Sequence, residues 1–141
     1  MSDRASVLIV CTGNSARSQI AEGLLRHDGG DRFIVASAGV APSFVRPEAI
    51  EVMREIGIDI SAQRSKSIDE FAGRAFDYVI TVCDNAKQTC PVFPAAQLLH
   101  WNMNDPAAVG GDRESKLQAF RDTRAELRKR LREFVEKTNQ T

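Results

Sequence analysis

The chain has 141 residues, 43% hydrophobic and 27% charged, which suits one compact domain spanning residues 1–141 that buries a core without disulfide or metal staples. Its 19 basic and 19 acidic side chains cancel. No global field therefore draws it to nucleic acid or to an anionic membrane, and any anion binding must come from a local site.

The chain opens Met1-Ser2-Asp3-Arg4-Ala5-Ser6 and then runs through the apolar Val7-Leu8-Ile9-Val10. That run reads as a buried parallel strand. It is too short for a signal-peptide core and leads into a polar loop, and no stretch approaches the ~20 apolar residues of a membrane span. The expected compartment is the cytoplasm, where thiols stay reduced. The three cysteines then point to catalysis or redox exchange before cross-linking.

After the loop a helix is predicted from about Ala16 to His27, with Ile20, Ala21, Leu24 and Leu25 on one face and Gly29-Gly30 ending it. Phe33–Ala36 reads as a second strand. A turn-rich stretch with Gly39, Pro42, Ser43 and Pro47 precedes a helix over Glu48–Ile56, stopped by Gly57. Ile58-Asp59-Ile60 alternates like a short edge strand, and Ser67–Ala72 like a short helix. Tyr78–Val82 is β-branched and aromatic, a strong strand signal. Leu98–Trp101 makes one more short strand. The last helix runs from Asp112, a suitable cap, to Lys137, with Leu117, Phe120, Leu127, Leu131 and Phe134 on its apolar face. Arg128-Lys129-Arg130 falls on the polar face and reads as solvated charge. Strands alternating with helices indicate an α/β fold with a parallel sheet.

Between the first strand and first helix lies Cys11-Thr12-Gly13-Asn14-Ser15-Ala16-Arg17-Ser18. A strand, short loop and helix start form a phosphate-binding arrangement, because the first helical N–H groups are unpaired and the helix dipole favours negative charge there. Gly13 allows close backbone approach. Arg17 can hold two oxygens of a tetrahedral anion through its planar fork. The same groups favour the thiolate of Cys11 as a nucleophile, and Ser18 can donate a hydrogen bond to its sulfur. The bland alternative is a buried cysteine at a strand end beside an unrelated loop.

This loop resembles the signature of low-molecular-weight protein tyrosine phosphatases and of the arsenate reductases that share their fold. The resemblance extends to Ser37-Ala38-Gly39 and to Asp105-Pro106. It implies a three-layer α/β sandwich with a four-stranded parallel sheet, and oxyanion binding by Thr12, Gly13, Asn14, Ser15, Ala16 and Arg17. It also implies that Asp105 is the general acid, in keeping with a leaving oxygen that needs a proton. Without the loop, Asp-Pro would read as a turn.

Phosphatase and reductase differ in the fate of the covalent adduct. Water hydrolyses it in one, and a second thiol attacks Cys11 in the other. Cys83 and Cys90 match the cysteine pair of thioredoxin-coupled arsenate reductases. That resemblance implies a Cys11/Cys83/Cys90 disulfide relay, arsenate as substrate with phosphate or sulfate as analogues, and thioredoxin or a similar dithiol protein as external reductant, with no bound cofactor and a monomeric chain. The pair could instead be two small buried hydrophobes. With His27 and His100, the cysteines lack the paired Cys-x2-Cys spacing of zinc sites. Ala107 and Ala108 follow Asp105-Pro106 where the phosphatases carry a substrate-stacking tyrosine, and Ala16 replaces a cysteine of many relatives. A low-molecular-weight protein tyrosine phosphatase is the alternative enzyme, and a non-catalytic oxyanion or redox sensor the third reading.

If residues 84–89 are helical in the reduced chain, Cys83 and Cys90 lie about 10.5 Å apart along the axis. A disulfide needs Cα atoms within roughly 7 Å, so that stretch must unwind on oxidation. Some reductases of this kind also bind potassium beside the loop. Asn14, Glu22 and Ser37 match three of the ligand positions, and the fourth falls on Lys66. Its ammonium could replace the ion, the alternative being a solvent-exposed loop lysine.

Overall fold

The computed structural model describes residues 4–83 and 95–138. Four strands, β1 (Ala5–Cys11), β2 (Phe33–Gly39), β3 (Phe76–Cys83) and β4 (Ala95–Asn102), form one sheet in the order β2-β1-β3-β4, every neighbouring pair parallel. Val7, Leu8, Ile9 and Val10 are fully buried, because β1 is internal to the sheet and covered on both faces, which is what a continuous apolar strand indicates. β2 and β4 are edges, and each exposes an apolar residue, Ile34 and Leu98.

Three helices, α1 (Arg17–Gly29), α2 (Pro47–Arg54) and α3 (Arg113–Thr138), pack on the face carrying Val7, Ile9, Val35, Ile80 and Val82. The opposite face carries Leu8, Val10 and Val79 and is covered by the 3₁₀ turn Ile68–Phe71, with Phe71 edge-on to Phe76. The predicted apolar row of α3 is buried from Leu117 to Phe134, and the Asp112 carboxylate accepts from the Ser115 amide as a cap at 2.8 Å. Gly30, with φ of 57°, ends α1.

Two expectations are corrected. Ile58-Asp59-Ile60 is not a strand. Both isoleucines are buried in the helical layer, and Ile60 lies against Gly23 of α1, where a Cβ would come within 2.6 Å of it. Asp59 faces out and accepts from the Ser61 amide. The alternation is therefore that of a core plug between helices. Nor is Arg128-Lys129-Arg130 uniformly solvated charge. Arg128 reaches α1 and grips both carboxylate oxygens of Asp28 at 2.9 Å. Burial raises the Asp28 pKa, but the hydrogen bonds from Arg128 and His27 outweigh it and hold the carboxyl below its ordinary value. The Cys90 position and the 84–89 stretch lie outside the described residues.

β2 ends where it supports the loop after β1. Gly39 pairs in register with Cys11, and a Cβ on it would sit 2.5 Å from the Thr12 carbonyl oxygen and 2.8 Å from the Asn14 nitrogen. Both obstacles are backbone and cannot rotate away. Gly39→Ala is expected to destabilise the fold by about 1–3 kcal/mol through overpacking. It should also weaken phosphate binding at least tenfold, measured by urea denaturation and by calorimetric titration. Wild-type values in both would show that the loop has slack.

Candidate active site

The loop after β1 leaves the C-terminal edge of the sheet between β2 and β3, where the strand order reverses, the usual crevice for ligands in open α/β sheets. Its carbonyls are tied outward. Thr12 O accepts from the Ala41 amide (2.9 Å), Gly13 O from the Ser43 amide (3.3 Å) and the Ser65 hydroxyl (3.0 Å), and Ser15 O from the Arg46 amide (3.0 Å). Asn14 O accepts from Gln19 Nε2 at 3.0 Å. No cis peptide occurs among the described residues. In a trans peptide the N–H points opposite to the C=O. Four outward carbonyls thus turn the amides of Gly13, Asn14, Ser15 and Ala16 toward the inside of the loop. The helix cap, Ala16, supplies no side-chain hydrogen bond to α1, which leaves the first-turn donors available to an anion.

Asn14 has φ of 47°, the single positive φ outside glycine among the described residues. Its buried carboxamide is fully used. Oδ1 accepts from the Lys66 amide (2.8 Å) and Gln19 Nε2 (2.9 Å), while Nδ2 donates to Ser18 Oγ (2.7 Å) and Ser37 Oγ (2.9 Å). Because Ser18 accepts from Asn14, its own proton stays free for donation to Cys11 Sγ, 2.8 Å away. Because Ser37 accepts likewise, it donates to Glu22 Oε1 at 2.5 Å. The hydroxyl that faces the sulfur can therefore act as a donor to a thiolate nucleophile.

Arg17, in the first turn of α1, is 2% exposed. Nη1 donates to Met103 O at 3.0 Å and Nη2 lies 3.8 Å from Asp105 Oδ2. Its Nε and the Thr12 hydroxyl are buried with no partner among the described residues, and a tetrahedral oxyanion in the loop would supply acceptors for such donors. Asp105 caps the 3₁₀ turn Pro106–Ala108 through Oδ1, which accepts from Ala107 N at 2.9 Å, and leaves Oδ2 toward Arg17. The carboxyl is partly exposed, at 35%, so it can exchange protons with solvent. Cys11, Arg17, Ser18 and Asp105 thus meet around one loop.

Glu22 is buried against cations. Arg26 Nη2 lies 2.9 Å from Oε2, and Lys66 Nζ is 3.8 Å from Oε1 and donates to Arg64 O at 2.9 Å. Lys66 is no exposed loop lysine, its side chain being 11% exposed. Burial lowers its pKa and the Glu22 charge opposes that shift. The donor set does not fit a potassium ion. Two cations and a hydroxyl already take the Glu22 oxygens, and two N–H groups take Asn14 Oδ1. Among the described residues no group of three or more His, Cys, Asp or Glu could hold a metal ion.

Cys83 ends β3, beside the strand that Cys11 ends, with Val10 opposite Thr81 in the ladder. Two residues that the sequence did not single out also belong to the site. Gln19 is fully buried beneath the loop, and Gln63 contacts it. Tyr78, the one tyrosine, packs edge-on to Phe134 in the core and cannot flank the loop.

The comparisons with known proteins agree with this geometry. Curated relatives include an arsenate reductase of Halalkalibacterium halodurans, 43% identical over 131 residues that cover 92% of this chain and 94% of the relative. Among solved structures, an arsenate reductase in a phosphate-binding state superposes with a TM-score of 0.81 at 33% identity, covering 94% of this chain and 98% of that one. A thioredoxin-dependent arsenate reductase from Corynebacterium glutamicum gives a TM-score of 0.72 at 31% identity, covering 96% of this chain and 62% of that one. The family model for low molecular weight phosphotyrosine protein phosphatase matches residues 6–141. With that match spanning the sheet, the anion loop and the Asp105 turn, the chain belongs to the low molecular weight phosphotyrosine protein phosphatase family.

Proposed function

We propose that the chain is a thiol-dependent arsenate reductase. Cys11 thiolate attacks arsenic, and Asp105 protonates the departing oxygen as the Cys11 sulfur–arsenic bond forms. Cys83 then attacks the Cys11 sulfur. The sulfur–arsenic bond breaks, its electron pair stays on arsenic as arsenite leaves, and a Cys11–Cys83 disulfide remains. Cys90 attacks Cys83, returning Cys11 as a thiolate and leaving Cys83–Cys90 for a dithiol protein such as thioredoxin to reduce. The net reaction converts arsenate and a dithiol to arsenite, a disulfide and water.

The observation that carries the reductase reading over hydrolysis is the position of Cys83 at the end of β3, adjacent and parallel to the strand that ends in Cys11. The curated relatives named arsenate reductase support it. Both chemistries share the first step, so slow hydrolysis of aryl phosphates is expected as a side reaction. Ala107 and Ala108 after Pro106 offer no aromatic wall for an aryl group.

The test is arsenite release in the presence of thioredoxin, thioredoxin reductase and NADPH, set against phosphate release from an aryl phosphate. Arsenite turnover should dominate, and phosphate release alone would return the chain to the phosphatases. Cys11→Ser should abolish both. Cys90→Ser should release about one arsenite per chain and stop, because the dithiol exchange has no second thiol. Sustained turnover in that variant would remove the relay. Asp105→Asn should slow arsenite formation about a hundredfold or more, the usual worth of a general acid, with little effect on phosphate binding.

Lys66, in this reading, does the work of a monovalent cation beside the loop by neutralising Glu22. Activity at constant ionic strength should then be the same in sodium and in potassium salts. A severalfold activation by potassium would contradict the assignment.

A further inference from the structure

Beneath the loop, three carboxamides run in series from a solvent-facing cavity to the serine that touches the nucleophile. Gln63 is half-buried and lines a cavity of about 580 Å³ on the far side of α1. Its Nε2 donates to Gln19 Oε1 at 2.7 Å and to Gln19 O at 3.1 Å. Gln19 Nε2 faces three acceptors, Asn14 O (3.0 Å), Asn14 Oδ1 (2.9 Å) and Arg64 O (2.9 Å). Asn14 Nδ2 in turn donates to Ser18 Oγ, which lies 2.8 Å from Cys11 Sγ and can donate to it.

A carboxamide has a donor end and an acceptor end, so it transmits orientation. Three acceptors demand that Gln19 present its NH₂ group to Asn14 and Arg64. Its oxygen must then face Gln63, which must answer with a donor. Each amide has one satisfactory orientation, and reversing any of them opposes acceptor to acceptor inside the fold. Donation from Gln19 also fixes which end of Asn14 faces Ser18, and so decides whether the Ser18 proton is free for the sulfur. The second contact, to the Asn14 carbonyl, keeps that carbonyl turned away from the anion.

We infer that Gln19, oriented by Gln63, is a positioning residue for the Cys11 nucleophile: it locks the left-handed Asn14 so that the Ser18 proton points at sulfur and the loop amides point at the oxyanion. Neither glutamine touches substrate. The inference rests on Cys11 being the nucleophile and is independent of whether the adduct is reduced or hydrolysed.

The test reads Cys11 directly, without arsenate or reductant. Gln63→Glu replaces the donor with a carboxylate, which attracts the Gln19 NH₂ and turns its oxygen onto the three acceptors. Gln63→Met removes the donor with little change in length and serves where Gln63→Glu does not fold, as judged by circular dichroism. Alkylation of Cys11 by iodoacetamide is followed by mass spectrometry of its peptide. Losing one hydrogen bond to a charged sulfur should slow the reaction about tenfold near pH 6, while near pH 9.5, where an ordinary thiol ionises, the rate should stay within about twofold of wild type. Wild-type rates near pH 6 in a folded variant would overturn the inference. An equal fall at both pH values would also overturn it, since that pattern marks lost access to the thiol. If arsenite turnover proves absent while the alkylation pattern holds, the reductase reading fails and this inference stands.

Discussion

The left-handed backbone at Asn14 is the constraint on which the site depends. A non-glycine residue in that region costs of order 1–3 kcal/mol unless its surroundings over-determine it, and asparagine tolerates it better than most side chains. Here the surroundings do over-determine it. All four side-chain hydrogen bonds of Asn14 are made inside the protein, its carbonyl is held by Gln19, and Lys66 N reaches over from the 64–67 segment to Oδ1. Reversing the chain at that residue lets the flanking carbonyls of Thr12, Gly13 and Ser15 all point outward, which is how the amides come to share one interior. An anion site made this way needs no reorganisation when charge develops on the oxygens, the condition under which hydrogen-bond donors contribute most.

The buried charges beside the loop follow from the same residue. Asn14 directs Ser37 toward Glu22, and a carboxylate buried that deeply must be paired. Arg26 and Lys66 supply the pairing. Burial opposes the charge on Lys66, and the Glu22 carboxylate sustains it. A covalently tethered ammonium and an ion in solution differ in one respect that matters here. The lysine is present at a fixed stoichiometry, whereas the occupancy of an ion site follows the concentration of that ion in the medium.

Much of this was legible in the sequence, and the failures have physical reasons. Val7–Val10, Tyr78–Val82 and the apolar row of α3 were readable because burial on two faces, or on one helical face, leaves a periodic mark. Cys11, Arg17 and Ser18 were readable because their spacing is set by one loop and the start of one helix. Ile58 and Ile60 were misread because alternation records only that every second side chain is buried. It does not distinguish a neighbouring strand from the gap between α1 and α2. Arg128 was misread because its partner, Asp28, is 100 positions away. Gln19 and Gln63 escaped notice for the same reason: a lone glutamine, in a helix or in a loop, looks like surface until the opposing segment is in place. Cys90 and the stretch before it lie outside the described residues, so the last exchange of the relay rests on the sequence and its chemistry.

The order β2-β1-β3-β4 decides which strand ends flank the loop after β1. From β1 the chain first adds a strand on one side and then crosses to add two on the other, so the loop after β1 has the ends of β2 and β3 as its neighbours. The end of β2 is spent on support: Gly39 lies flat against Thr12 and Asn14, and Ser37 joins the buried network. The end of β3 carries Cys83. Parallel strands bring their C-terminal ends to the same edge of the sheet, so the backbone end of β3 lies at the edge from which the loop after β1 departs. A rigid neighbour on one side and a second thiol on the other are consistent with a nucleophile that is first held still and then relieved of its adduct. The phosphatase chemistry of the family needs only the first of these, and under the proposed relay Cys83 would be the residue that extends it.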